Sequence, residues 1–145
     1  MPDKTSSSIM VAAGPAAVMG VIADFGSYPE WATGVRSAEV LERGADGRAL
    51  RVRFGLDAGP IRDTYVLAYE WTGDTAVHWQ LAERGSMVTE MTGAYLLLES
   101  PGGTTVSYEL AVGTRVPLGL LKRRAEKTII DTALKGLKAR VESSA

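Results

Sequence analysis

The sequence predicts an α+β fold, in which a curved, seven-stranded antiparallel sheet packs against a long C-terminal helix and two short helices follow the first strand. Segments that alternate apolar and polar residues predict half-buried strands. The turns between these segments have hairpin length, which favours antiparallel pairing. The segment 117–142 has no proline after its first residue and is rich in helix-forming residues, which predicts one long helix. With 145 residues, the chain is expected to form one domain over 1–145.

The seven predicted strands differ in how clearly they alternate. Four alternate cleanly, and they lie at 50–56, 61–71, 77–81 and 105–112. Three carry apolar residues in both phases, and they lie at 9–12, 35–43 and 87–99. One face of the sheet is therefore expected to be apolar and to meet the helices, and the other to meet water.

The helices have characteristic start and stop signals. Gly14 and Pro15 are typical of an N-cap and a first helical position, and Gly26 is typical of a helix end, so a helix is predicted at 15–25. A second short helix or turn is predicted at 27–32. The long helix carries two apolar faces, rotated relative to each other: Leu118, Leu121, Ala125 and Ile129 in its first half, and Ile130, Leu134, Leu137 and Val141 in its second. The residues between these faces are small and are expected to pack closely or leave space beneath them: Thr128, Thr132, Ala133 and Gly136.

The composition excludes several kinds of chemistry. The chain has no cysteine and one histidine, which rules out disulfides, thiolate nucleophiles and zinc sites built from these residues. The histidine, His78, lies in the polar phase of its strand and is interpreted as solvated. Four scattered acids are interpreted as surface charges or helix caps and not as paired catalytic carboxylates: Asp24, Glu30, Asp63 and Glu90. No catalytic residue, metal or cofactor is therefore expected.

The charge balance and hydropathy suggest where the protein acts. The formal net charge is −1, so nucleic-acid binding is not expected. No apolar run approaches the roughly 18 residues that span a bilayer. The first eight residues are polar and do not resemble a signal peptide, so a cytoplasmic location is expected.

The aromatic residues point to a ligand cavity. Most of them share the apolar phase of the strands, and a curved sheet covered by a single long helix tends to leave a hollow. A hollow with apolar walls and a few hydroxyl groups suits a hydrophobic small molecule. The predicted lining residues are Trp31, Phe54, Leu67, Tyr69, Trp79, Leu81, Tyr95, Tyr108, Leu110, Leu121, Ala125 and Ile129.

Several short runs resemble the polyketide cyclase/dehydrase and lipid-transport family of the START-like, helix-grip superfamily (SRPBCC). The runs are Ala13-Gly14-Pro15, Ala23-Asp24-Phe25, Tyr28-Pro29-Glu30-Trp31, Gly93-x-Tyr95, Gly103-Thr104-x-Val106-x-Tyr108 and Asp131-Thr132-x-Leu134-x-Gly136-Leu137-Lys138. The resemblance covers nearly the whole chain and implies a sheet that grips the C-terminal helix around a deep cavity.

The same resemblance implies three functions. Family members bind lipids, quinones, sterols, hormones or polyketides, so the first expectation is a protein that carries or sequesters such a ligand without changing it. A polyketide aromatase/cyclase is the alternative, and a chaperone that delivers a lipid to a membrane partner is the third. Cyclases of the family use pocket arginines, whereas the strand arginines here lie in the polar phase: Arg51, Arg53 and Arg62.

A basic segment suggests contact with an anionic surface. Residues 1–114 hold 8 basic and 14 acidic residues, whereas residues 115–145 hold 8 basic and 3 acidic ones. Lys122, Arg123, Arg124 and Lys127 lie within two turns of the long helix, beside leucines without an obvious core partner. We expect this end of the helix to form the cavity entrance and to touch anionic membranes transiently.

Overall fold

The computed structural model describes residues 4–59 and 61–143 and confirms the predicted architecture. The strands are β1 (Thr5–Val11), β2 (Val35–Arg43), β3 (Ala49–Ala58), β4 (Ile61–Thr72), β5 (Ala76–Glu83), β6 (Val88–Ser100) and β7 (Gly103–Thr114). The helices are α1 (Pro15–Ala23), α2 (Tyr28–Trp31) and α3 (Leu120–Ser143), and a turn of 3-10 helix at Phe25–Ser27 joins α1 to α2.

The seven strands form one antiparallel sheet in the order β1-β7-β6-β5-β4-β3-β2. From β2 to β7, each strand pairs with the next one in the chain, as the short turns predict. The first strand is the exception, because it adds to the far side of β7, where Thr5 pairs with Leu110 and Val11 with Thr104.

Two element boundaries differ from the prediction for local reasons. The long helix begins at Leu120 rather than at residue 117, because Gly119 adopts a φ of 59°, which a right-handed helix does not accommodate. Strand β1 begins at Thr5 rather than at residue 9. Its serine-rich start lacks an apolar alternation, and the structure extends the strand through backbone pairing with β7.

The predicted inward residues of the long helix are confirmed except at Leu121. Ala125 and the four residues predicted for the second half are buried, and Leu118 and Ile129 pack against the core. The buried residues of the helix form one continuous face, which consists of Ala125, Glu126, Ile130, Ala133, Leu134, Leu137 and Val141. Leu121, predicted to face inward, is 50% exposed. The buried face also includes Glu126, which the apolar pattern did not predict because glutamate is charged.

The Glu126 carboxylate is fully buried and joins three elements. It accepts hydrogen bonds from the Thr5 hydroxyl of β1 at 2.7 Å and from the Val112 backbone N–H of β7 at 2.7 Å. The Lys122 ammonium lies 3.8 Å away on the preceding turn of α3. These partners satisfy a group whose burial alone would be costly.

The second half of α3 packs closely against the first helices and β1. A side chain at Gly136 would place its Cβ 2.0 Å from the Trp31 carbonyl oxygen, so α3 and α2 meet backbone to backbone. At the end of α3, the Lys138 ammonium donates to the Met10 carbonyl oxygen at 2.8 Å. The Ala12 backbone N–H donates to the Glu142 carboxylate at 2.9 Å.

Candidate functional site

A cavity lies between the inner face of the sheet, the α2 segment and the middle of α3. Its walls are mainly aromatic and aliphatic, and strands β2 to β7 all contribute to them. The lining residues are Tyr28, Ala32, Thr33, Val35, Phe54, Leu56, Tyr65, Leu67, Tyr69, Trp79, Met91, Tyr95, Tyr108, Leu110, Ile129 and Ala133.

Most of the residues predicted to line the cavity do so in the structure. These are Phe54, Leu67, Tyr69, Trp79, Tyr95, Tyr108, Leu110 and Ile129. Trp31 is buried where α2 meets α3 and does not line the cavity. Ala125 is buried at the first half of α3, Leu81 packs against the edge of the core, and Leu121 is half exposed.

Some lining residues were missed although the sequence contained a signal for them. Tyr65 has the same strand phase as Leu67 and Tyr69, so continuing the alternation would have found it. Tyr28 and Thr33 precede β2 in a segment with no usable periodicity, and only the fold brings them to the cavity.

The aromatic rings are packed so closely that little free space remains. The rings of Tyr95 and Tyr108 meet edge to face with centroids 4.6 Å apart, and Trp79 meets Tyr108 at 5.5 Å. The cavity volume is about 60 Å³, which is well below the roughly 300–1,000 Å³ of pockets that hold drug-sized ligands. A ligand larger than a few water molecules must therefore displace side chains on entering.

The tyrosine hydroxyls are the main polar groups of the cavity. The Tyr28 hydroxyl donates to the Ile22 carbonyl oxygen. Within the part of the chain that the structure describes, four further hydroxyls make no protein hydrogen bond, those of Tyr65, Tyr69, Tyr95 and Tyr108. The one fully enclosed side-chain donor without a partner in the same part of the chain is the indole N–H of Trp31. The four tyrosines are nearly completely buried. The cavity thus holds several donors without protein acceptors.

Burial fixes the protonation state of these tyrosines. Desolvation raises the pKa of all four hydroxyls above the ordinary value of 10.0, because a phenolate is poorly stabilised away from water. Proximity to Tyr108 raises the pKa of Tyr65, Tyr69 and Tyr95 further. At neutral pH each hydroxyl is therefore a hydrogen-bond donor.

The interpretation of Asp63 as a surface charge is wrong. Its side chain is buried, and its carboxylate accepts the backbone N–H groups of Thr64, Ser86, Met87 and Val88 at 2.7–3.0 Å. Burial by itself raises the pKa of this carboxyl, but the backbone donors outweigh it and the net shift is downward from 3.8. Asp63 therefore joins β4 to the turn between β5 and β6.

The strand arginines lie outside the cavity and are paired with acids. Arg51 contacts Glu83 at 2.8 Å, and Arg53 contacts Glu39 at 2.9 Å. Arg62 contacts Asp57 at 2.9 Å. Their position agrees with the polar phase in which the sequence placed them.

Sequence comparison identifies the family. Residues 2–142 match the family model described as polyketide cyclase / dehydrase and lipid transport. The chain belongs to this family. No curated protein matches the sequence significantly.

Several solved structures share the fold. A START superfamily protein from Mycobacterium smegmatis superposes with a TM-score of 0.88 at 21% identity, covering 98% of this chain and 99% of that one. The Zhui aromatase/cyclase from Streptomyces sp. R1128 superposes with a TM-score of 0.79 at 17% identity, over 98% and 94% of the two chains. A protein from Thermus thermophilus gives 0.81 at 21% identity, over 99% of both.

Neither a membrane-spanning helix nor a metal cluster is found in the described residues. Within residues 4–59 and 61–143, no helix combines the length and apolarity needed to cross a bilayer. Over the same residues, no three side chains of His, Cys, Asp or Glu gather in an arrangement that would hold a metal ion.

Proposed function

We propose that this protein binds a hydrophobic, oxygen-bearing small molecule in the cavity and carries or sequesters it without chemical change. The observation that carries the proposal is the set of four tyrosines that line the cavity and whose hydroxyls make no protein hydrogen bond in the described residues. A pure hydrocarbon would leave these donors unsatisfied, and a buried polar group without a partner costs about 1–3 kcal/mol. A ligand with carbonyl or ether oxygens, such as a quinone or a polyketide-like ring system, would accept from them.

The small cavity is consistent with a ligand that enters by displacing side chains. Aromatic and methionine side chains line much of the wall, and Met91 can change rotamer at low cost. The family and its solved relatives support a binding role, and one relative is named an aromatase/cyclase. The polar side-chain groups of the described lining belong to tyrosine, threonine and tryptophan, which supports binding over catalysis.

The test compares two ring systems that differ only in acceptor oxygens. We expect 1,4-naphthoquinone to bind about tenfold more tightly than naphthalene, since one net hydrogen bond contributes about 1 kcal/mol or slightly more. The absence of cysteine removes the usual thiol reaction of quinones. Quenching of tryptophan fluorescence reports binding because Trp79 lines the cavity.

The matched variant is Tyr108→Phe, which removes one hydroxyl and keeps the ring. It should weaken naphthoquinone binding several-fold and leave naphthalene binding nearly unchanged. Equal affinities of the parent for both compounds would contradict the proposed ligand class, and absence of saturable binding would contradict the function. Conversion of bound ligand to a product, followed by mass spectrometry, would favour the cyclase alternative.

We also propose that the start of α3 touches anionic membranes during ligand transfer. Val116 is 64% exposed and Leu120 is 91% exposed, and the exposed Arg124 lies one turn from Leu120. Lys122 and Lys127 are each paired with an acid on the following turn, Glu126 and Asp131. The exposed apolar residues therefore provide much of the expected affinity, and the cations add attraction to an anionic surface.

Vesicle binding tests this contact. The protein should bind vesicles that contain phosphatidylserine at low salt, and binding should weaken as ionic strength rises. Replacing both Val116 and Leu120 with Ser should reduce this binding and slow transfer of naphthoquinone to the vesicles, whereas equilibrium binding in the cavity stays unchanged. Equal transfer rates for variant and parent would disprove the membrane role.

A further inference from the structure

The sheet has a gap between β5 and β6. These strands pair from Ala76–Leu96 to Gln80–Thr92. After Gln80, β5 continues beside β4, where Glu83 pairs with Val66. In the described residues, no backbone pair joins residues 81–83 of β5 to residues 88–91 of β6. This part of β6 pairs with β7 instead. The wall of the cavity therefore lacks a backbone ladder over this short stretch, which we call the window.

The window has a fixed frame. The Gln80–Thr92 pair closes one end. The turn between the strands closes the other end, and Asp63 holds this turn against β4 through the backbone N–H groups of Ser86, Met87 and Val88. Irregularities in pairing on both sides direct the strands apart: one between Val66 and Leu67 of β4, and one between Val88 and Glu90 of β6.

Side chains, and not backbone hydrogen bonds, fill the window. Met91 is 4% exposed and lines the inner cavity. Leu81 follows Trp79 in the inward phase of β5 and is partly buried against the core. Moving these two side chains breaks no ladder hydrogen bond, and a methionine adapts easily to a changed neighbourhood.

The outer side of the window opens into a surface groove of about 580 Å³. Residues of both separated strands line this groove, among them Leu81, Ala82, Thr89 and Met91. Met91 therefore borders the groove on one side and the cavity on the other. A second outer groove also shares Tyr69, Trp79 and Leu110 with the cavity wall, but there the backbones of β4, β5, β6 and β7 are paired.

We propose that the window is the passage through which the hydrophobic ligand enters and leaves the cavity, with Met91 as the movable gate. This inference rests on the proposed function. It places the passage in the sheet, whereas the sequence predicted the entrance at the start of α3. The hydrogen bonds from the turn to Asp63 hold the end of the window in place while the side chains move, so the passage opens without unfolding the sheet.

Association kinetics test the passage. We expect Met91→Ala to raise the association rate of 1,4-naphthoquinone at least about fivefold in stopped-flow quenching of tryptophan fluorescence. Leu110→Ala is the matched control, because it also removes a buried side chain of the cavity wall but lies on β7. It should alter affinity through cavity size with less than a twofold change in association rate. Met91→Val replaces Met91→Ala if the latter does not fold.

A second pair of variants tests the outer side of the window, with one variant that blocks the groove and one control. Ala82 lines the groove but not the cavity, so Ala82→Phe should slow association and dissociation by the same factor, about threefold or more, and leave Kd unchanged. Glu99→Phe adds the same ring at an exposed site on the far end of β6 and should change neither rate. Equal association rates for the Met91 and Leu110 variants, or unchanged rates for Ala82→Phe, would overturn the passage. Loss of saturable binding in the parent protein would overturn the proposed function itself.

Discussion

Asp63 and Glu126 are acidic residues at positions where the sequence pattern requires apolar ones. Asp63 falls between Ile61 and Tyr65 in the inward phase of β4, and Glu126 lies four residues before Ile130 on the buried face of α3. Each is buried, and each accepts at least two hydrogen bonds from distant segments. Buried carboxylates with complete partners act as specific joints between elements.

Removing the charge of Asp63 is predicted to destabilise the fold. Asp63→Asn keeps the shape but replaces one acceptor oxygen with a donor that faces backbone N–H groups, so the free energy of unfolding should fall by about 2–3 kcal/mol. Because the folded pKa lies below 3.8, this contribution is present above that pH and disappears as the pH falls through the folded pKa. Urea unfolding at pH 7 and pH 3 measures both effects.

Asp57→Asn is the matched control for this measurement. Asp57 pairs with the exposed Arg62 at 2.9 Å on the surface, where an ion pair contributes about 0–1 kcal/mol. A loss of stability as large for Asp57→Asn as for Asp63→Asn would contradict the special role of the buried carboxylate.

One glycine of α1 and one of α3 have different surroundings, so replacing them with alanine should change stability in opposite directions. Gly136 of α3 touches the backbone of α2, whereas Gly20 of α1 has open space where a Cβ would lie. Helix propensity favours alanine at both positions by up to about 1 kcal/mol. The two positions differ in what an added Cβ would meet.

We therefore predict opposite outcomes for the two alanine substitutions. Gly20→Ala should raise the free energy of unfolding by about 0.5–1 kcal/mol. Gly136→Ala should lower it by about 1–3 kcal/mol, because its Cβ would collide with the Trp31 carbonyl group and force α3 away from α2. Thermal unfolding of both variants tests these two predictions. Stabilisation by Gly136→Ala would contradict the close backbone contact between α3 and α2.

Periodic patterns in the sequence predicted the strands and their inward faces, but not the features that depend on contacts between distant segments. The strand phases placed Tyr69, Trp79 and Tyr108 at the cavity wall correctly. On α3 the pattern missed Glu126, because a glutamate is typical of a solvated position and its partners on β1 and β7 are more than ten residues away in sequence. The sequence pattern also could not predict the window, because the window arises from irregular strand pairing and not from composition.

The buried tyrosines make the stability of the folded protein sensitive to alkaline pH. Their folded pKa values lie above 10.0, so below pH 10 the tyrosines are protonated in both folded and unfolded states and stability does not depend on them. Above pH 10 the unfolded chain loses these protons first, and the free energy of unfolding should decrease with each further pH unit.

A pH titration with two readouts tests this prediction. Phenolate absorbance near 295 nm should rise together with loss of the near-ultraviolet circular dichroism, in one cooperative step above pH 10. Gradual ionisation near pH 10 in a protein that stays folded would show that the tyrosines are accessible to solvent, and it would contradict their burial in the cavity.

The position of β1 beside β7 has a consequence for protein synthesis. The first strand leaves the ribosome about a hundred residues before its partner, since Thr5 pairs with Leu110 and Val11 with Thr104. At about 5–20 residues per second, the nascent strand waits roughly 5–20 s with its apolar residues uncovered. The hairpins from β2 to β6 can form during this interval, but the helix that closes the core is translated after all seven strands. Chaperones that bind nascent apolar segments therefore have a defined period in which to act on this chain.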